Sequence, residues 1–240
     1  MTLRTLVPAL GLLALAGCSG AATTGTDAPA ATDVTIDNEL PHEPGHLPYF
    51  SPAQRVLAPG AHDSTTAYAP LPAFHLRDQD GHLITNQSLA GKVYLTDFFF
   101  ATCPGICPKM QSEMLKVYKQ YGQNPQVVFL SHTIDPQHDT QPVLLDYARR
   151  LGATPGGNWR FARTSRDSAY ALARAYFTGA MPDAKAPGGV AHSGTFALID
   201  DQGRVRGLYD SLDPTQTPKL LQDLPVLLAE VQTRQATAGR

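Results

Sequence analysis

Lys92-Val93-Tyr94-Leu95-Thr96-Asp97-Phe98-Phe99-Phe100 runs directly into Ala101-Thr102-Cys103-Pro104-Gly105-Ile106-Cys107-Pro108. The first nine residues follow Gly91 and are mostly apolar, rich in aromatic and branched side chains. Such a run suits a central strand covered on both faces. Pro108 is well placed as the first residue of a helix, because its missing N–H needs no partner there. The two cysteines therefore sit in a loop between a strand and a helix. In an α/β sheet that loop lies at the carboxyl edge of the strands, where ligands usually bind. Cys107 falls just before the helix N-terminus, whose dipole and free N–H groups favour a thiolate.

Outward from this stretch, the elements alternate. Pro72–Leu76 and His82–Ile84 flank the turn signal Asp80-Gly81 and suit a hairpin. After Pro108, Met110, Met114, Val117, Tyr118 and Tyr121 recur at helical spacing, and Gly122 stops the helix. Gln126–Ile134 reads as a second central strand. Thr140–Leu151 reads as a helix capped by Thr140 and ended by Gly152. Trp159–Ala162 is a short strand and Ser165–Tyr176 a helix. Residues 178–191 form a loop rich in Gly, Ala and Pro. Thr195–Ile199 and Val205–Tyr209 pair through Asp201-Gln202-Gly203. Pro214–Thr233 is a final helix, with a kink or break expected at Pro225. Strand, helix, strand, helix, hairpin and helix is a thioredoxin-like order. The expected fold class is α/β: a central mixed sheet flanked by helices, with an N-terminal β-hairpin extension.

The chain holds three cysteines. The first, Cys18, follows Arg4, a short apolar run from Leu6 to Ala16, and the order Leu15-Ala16-Gly17-Cys18. That is a secretory signal, too short for a stable transmembrane helix. Its end resembles the lipobox of bacterial lipoproteins, which implies a signal peptide over 1–17 and lipidation of Cys18. The domain would then be anchored by lipid in a bacterial cell envelope, in the periplasm or on the outer face. Residues 18–45 have almost no large apolar side chains and read as a flexible tether. Residues 46–70 read as an extended lead-in, and 71–234 as the folded domain. There is no internal repeat. A formal net charge of −2 gives no electrostatic footprint for nucleic acid.

With Cys18 committed, Cys103 and Cys107 are the thiols that remain after export. An oxidising compartment permits a disulfide between them. So short a closed loop would restrict the unfolded chain little, which favours redox or metal work over a structural staple. Two thiolates and an imidazole form a soft, three-coordinate set that suits copper, and His192 sits in an apolar stretch downstream. A histidine ahead of a strand is by itself more often a surface or satisfied polar group than a ligand. His132, near the end of the second strand, would tune the site or hydrogen-bond to the Asp135 turn. Asp135 before Pro136 fits a turn. Asp97 would shift the thiols or be a buried, hydrogen-bonded acid. Met110 and Met114 suit core packing, and Met181 lies in the long loop. His42, His46, His62 and His82 lie in polar or loop sequence.

Four segments resemble the Sco family, also called SenC/PrrC. They are Asp97–Pro108 with its Cys-x-x-x-Cys-Pro loop, Ile134-Asp135-Pro136-Gln137-His138-Asp139-Thr140, His192-Ser193-Gly194-Thr195-Phe196-Ala197-Leu198-Ile199-Asp200, and Gly203-Arg204-Val205-Arg206-Gly207-Leu208-Tyr209-Asp210. The resemblance spans residues 70–232. It implies one copper ion, Cu(I) and also Cu(II), held by Cys103, Cys107 and His192, with Asp135 supporting the site or shaping its loop. It further implies a partner in the cytochrome c oxidase subunit that carries the dinuclear copper centre, and a second partner in another periplasmic copper donor. Oxidation of Cys103 and Cys107 to a disulfide would remove two ligands. The residues leave open whether the protein delivers copper, reduces a client's disulfide with Cys103 and Cys107 as the redox pair, or senses copper or redox state. A peroxidase fits poorly, since Thr102 is adjacent to Cys103 rather than three residues before it.

Overall fold

A computed structural model describes residues 45–50, 56–57, 71–182, 190–191 and 193–239. The elements in chain order are β1 (Tyr49–Phe50), β2 (Val56–Leu57), β3 (His75–Arg77), β4 (Leu83–Thr85), α1 (Asn86–Leu89) and β5 (Val93–Phe99). There follow α2 (Cys107–Tyr121), β6 (Val127–Thr133), α3 (Gln141–Leu151), β7 (Trp159–Ala162) and α4 (Arg166–Ala175). The last are β8 (Met181–Pro182), β9 (Val190–Ala191), β10 (Thr195–Ile199), β11 (Val205–Asp210) and α5 (Gln216–Ala238). The signal peptide, Cys18 and the tether up to residue 44 lie outside the described residues, as does His192.

The central sheet has the order β11-β10-β5-β6-β7. β5, β6 and β7 are parallel, while β10 runs antiparallel to β5 and β11 to β10. This is the mixed, helix-flanked, thioredoxin-like sheet that the element order predicts. Every residue of β5 and β6 is buried, as parallel strands covered on both faces require. Alternation sends Asp97 and Phe99 to one face and Phe98 to the other. On the first face Gln111 of α2 meets Asp97, and Tyr147 of α3 stacks on Phe99. On the second, Phe98 lies against Tyr176, the residue that ends α4. The β3–β4 hairpin joins through an isolated bridge between Arg77 and Arg163.

The helix stops follow two different physical rules. Gly152 ends α3 in the left-handed region at φ 80°, where a side chain would be strained. Gly122 ends α2 at φ −65°, and its reason is space: a Cβ there would lie 2.5 Å from the Tyr118 carbonyl oxygen. Three features depart from expectation. A four-residue helix, α1, follows β4 and is closed by a reciprocal Thr85/Ser88 capping box. A short ladder pairs Met181 with Ala191 and Pro182 with Val190 inside the expected loop. The last helix is not broken at Pro225 but continues to Ala238. The proline removes one backbone hydrogen bond, and the buried row Leu220, Leu224, Leu227, Leu228 and Val231 outweighs that loss.

Arg206 is the least expected core residue. It is 1% exposed and donates to both carboxylate oxygens of Glu230 at 2.7 and 2.8 Å. It also donates to the carbonyls of Leu47 and Pro48 and lies 3.9 Å from the centre of the Tyr49 ring. A guanidinium can be buried only when its donors are used in this way. Arg206→Ala should leave the Glu230 and Asp200 carboxylates buried without their main counter-charge. The expected loss is about 3–5 kcal/mol of unfolding free energy by urea titration; a loss within about 1 kcal/mol would contradict this reading of the network.

Candidate metal and thiol site

The carboxyl edge of the sheet is assembled by the pairing of β5 with β6. Phe99 aligns with Thr133, so both strands end together, and the Ile134 amide donates to the Phe99 carbonyl at 2.9 Å. The cysteine loop leaves β5 here, and the Asp135–Thr140 turn leaves β6 beside it. Because β10 is antiparallel to β5, Thr195 starts β10 at this same edge.

Within the loop, the Cys103 amide donates to the Phe100 carbonyl at 3.1 Å, which forms a tight turn. Thr102, Pro104 and Gly105 are exposed, and a Cβ built on Gly105 would meet nothing within 4 Å among the described residues. Cys103 is half-buried and Cys107 fully buried, both as thiols. The two sulfurs are within hydrogen-bonding reach of each other. Helix α2 starts at Cys107 itself, so Pro108 is its second residue rather than its first.

The electrostatics correct the sequence-based expectation for Cys107. Burial pushes its thiol well above the ordinary range, reinforced by the hydrogen bond with Cys103 and by the charges of Cys103 and Asp97. The helix N-terminus does not offset the loss of water around the sulfur. Proline at the second position also removes one of the N–H groups that would have faced it. A thiolate at Cys107 therefore needs a cation to take the proton's place.

Asp97 is buried and accepts a 2.7 Å hydrogen bond from the Gln111 amide. Burial pushes its carboxyl up to about 7, while Ser131 and Gln111 oppose the shift. It is thus both a buried, hydrogen-bonded acid and a charge felt by the thiols. Met110 and Met114 are buried in the core, as their helical spacing predicts. The side chain of Met181 lies outside the described residues.

His132 does not make the turn contact that one reading of the sequence allowed. It aligns with Phe98 in β6 and so faces away from the Asp97 and Gln111 side of the sheet. Its ring stacks on Phe98 at 4.7 Å and packs against Tyr176 at 5.5 Å. Both ring nitrogens are buried and have no hydrogen-bond partner among the described residues, so it does not bond to the Asp135 turn. Burial pushes its imidazole down to about 3. Asp135 is half-buried and pairs with Arg166 at 2.8 Å. The neighbouring aspartate, which sequence reasoning passed over, reaches the loop: Asp139 is 0% exposed and accepts from the Ala101 amide at 3.1 Å. The fixed place of an acid four residues after Asp135 was the available signal. Elsewhere, Asp78, Asp80 and His82 bring three potential ligand atoms together, but the Arg160 guanidinium already sits 3.1 Å from Asp78 and 3.5 Å from Asp80.

The SCO1/SenC family model matches residues 62–227. The chain belongs to the SCO1/SenC family. Among relatives, the SCO1 protein homolog of Bacillus subtilis is 28% identical over 153 residues, covering 63% of this chain and 79% of that protein. A putative copper-binding protein of Stutzerimonas stutzeri is 30% identical over 167 residues, covering 66% and 76%. Among solved structures, a SCO1/SenC family lipoprotein from Bacillus anthracis superposes with a TM-score of 0.59 at 26% identity, covering 66% of this chain and 95% of that one. BsSco, a member of the Sco family of cytochrome c oxidase assembly proteins with an identified disulfide switch, gives 0.58 at 26% identity, covering 67% and 94%.

Asp97 and His132 generate opposite pH dependences in the metal-free protein. The raised Asp97 carboxyl holds a proton that the unfolded chain releases above 3.8, so this group adds stability as pH falls from about 7. The depressed His132 imidazole refuses a proton that the unfolded chain accepts below 6.5, so this group removes stability as pH falls from 6.5 toward 3. Relative to the parent, Asp97→Asn should lose stability more steeply on acidification and His132→Phe less steeply. Urea titrations across this range check both signs; identical slopes in all three proteins would contradict the assignment.

Proposed function

We propose that this SCO1/SenC protein carries copper at Cys103, Cys107 and His192 and assists metallation of the dinuclear copper centre of cytochrome c oxidase. One observation carries the reading: two thiols within reach of each other at the carboxyl edge of the sheet, one sealed in the core and one half-open on an exposed loop. Cu(I) favours soft sulfur donors and low coordination numbers, whereas structural zinc takes four ligands. His192 itself lies outside the described residues. Its candidacy rests on the family resemblance and on the start of β10, three residues later, at the edge where the cysteine loop leaves β5.

The buried sulfur retains the ion and the half-exposed one gives it up. An acceptor's thiolates can displace Cys103 first, because the loop from Thr102 to Gly105 is open to solvent. A second reading, reduction of a client disulfide by the same cysteine pair, is favoured by the mutual reach of the sulfurs. The disulfide switch identified in BsSco points the same way.

The lipid anchor belongs to this proposal. Its support is the Leu-Ala-Gly-Cys order at Cys18 and the lipoprotein description of the Bacillus anthracis relative. No helix among the described residues is long and apolar enough to cross a membrane. The implied arrangement is a signal peptide over 1–17, a tether over 18–45, a lead-in over 46–70 and the domain over 71–234, exposed in the periplasm or on the outer face.

Anaerobic titration of the reduced protein with Cu(I) against a competing chelator should give one tight equivalent. Cys103→Ser or Cys107→Ser should abolish it, and His192→Ala should weaken it by at least roughly tenfold, since loss of a direct ligand should cost no less than loss of a residue that only supports one. Weak binding indifferent to His192 would transfer the case to the thiol reductase. In cells, Cys18→Ser should move the protein from the membrane to the soluble fraction; continued membrane association would contradict the lipid anchor.

A further inference from the structure

We propose that Asp139 is the positioning residue of the cysteine loop. The claim rests on the copper and thiol reading above and names the group that holds that site in shape. The Asp139 side chain is 0% exposed, yet it is used on every side. One carboxylate oxygen, Oδ2, accepts from the Ala101 amide at 3.1 Å and from the Thr133 hydroxyl. The other, Oδ1, meets Nδ1 of the half-exposed His138 at 2.9 Å. Ala101 is the second residue before Cys103, and the peptide just before it carries the Phe100 carbonyl that takes the Cys103 amide. The carboxylate therefore grips the loop at its root.

The grip is directional. Thr133 Oγ1 accepts from the Asp135 amide at 3.0 Å, which leaves its single proton for Asp139. Both groups facing Oδ2 are donors, so that oxygen must be an acceptor. The Asp139 amide donates back to the Asp135 carbonyl at 2.9 Å, which closes the turn on itself. Arg166 pairs with Asp135, and Arg163 donates to the Pro136 carbonyl at 2.7 Å, so the turn is fixed to the β7–α4 side of the molecule. A rigid turn thus holds one end of a loop whose tip is otherwise exposed. Buried charge-assisted hydrogen bonds of this kind set the orientation of metal-binding groups without touching the metal. Asp135, the acid the sequence singled out, is spent on Arg166 and on the turn itself.

The test uses the full chain carrying Cys18→Ser, so that the loop thiols are the sole thiols. Cu(I) affinity and the dithiol–disulfide midpoint potential of Cys103 and Cys107 are measured for Asp139→Leu, Asp139→Asn and Thr133→Val. Arg206→Ala, whose side chain belongs to the clasp on Leu47 and Pro48, is the comparator for general destabilisation. Asp139→Leu should bind Cu(I) at least about tenfold more weakly and shift the potential. Asp139→Asn, which still offers an oxygen to the Ala101 amide, should recover most of both. Thr133→Val should move both in the same direction by less, and it decides the matter if Asp139→Leu does not fold. Arg206→Ala should change neither. Should the parent fail to bind Cu(I), the copper reading falls and the potentials alone decide the positioning role. Unchanged affinity and potential in the folded Asp139 and Thr133 variants, or equal shifts in Arg206→Ala, would overturn the proposal.

Discussion

The lateral register of β5 against β6 is the constraint on which the site depends. Seven residues of each strand pair in parallel, from Val93 with Val127 to Phe99 with Thr133. Because the strands end level, the cysteine loop and the Asp135–Thr140 turn emerge side by side, and a single buried carboxylate can reach from one to the other. A slip of one residue would turn Asp97 to the opposite face and away from Gln111, and would invert every contact above it. The register is secured by complete burial on both faces, by the aromatic groups Phe98–His132–Tyr176 and Phe99–Tyr147–Phe161, and by the Ile134 to Phe99 backbone bond at the edge itself.

The chemistry of the site follows from unequal burial of two chemically equal groups. Cys107 lies in the core and Cys103 on its border. Without a metal, the buried sulfur is held as a thiol by desolvation, and the neighbouring Asp97 adds to that pressure. A soft monovalent cation removes the conflict, since it supplies the positive charge that the low-dielectric pocket otherwise lacks. On the proposed reading the outer sulfur, half-buried on an exposed loop, is the one a partner would address. On the proposed copper reading, retention and release are divided between two cysteines four positions apart.

Much of the fold was legible because its strongest signals are local. The apolar runs give β5, β6 and β7, and the glycines at 122 and 152 end their helices. The departures have specific physical causes. Pro225 argues locally against a continuous helix, but the apolar row on α5 gains more from burial than one hydrogen bond is worth. Alternation could not orient His132, because all seven residues of β6 are buried and neither face is marked by polarity. Arg206 reads as a surface residue until Glu230, 24 positions later, and the Leu47 carbonyl, 159 positions earlier, are brought to it. Helix position suggested an acidic thiol at Cys107, and burial reversed the sign. Long-range placement, rather than residue type, decided each of these.

The central claim is a copper ion held by two sulfurs of one loop and one imidazole from the entry to β10. X-ray absorption spectroscopy of the Cu(I)-loaded, reduced protein tests it most directly. The account predicts a three-coordinate ion with two sulfur scatterers and one imidazole nitrogen, and loss of the nitrogen shell in His192→Ala. A two-coordinate, all-sulfur spectrum unchanged by that substitution, or a copper–copper signal from a shared cluster, would contradict it.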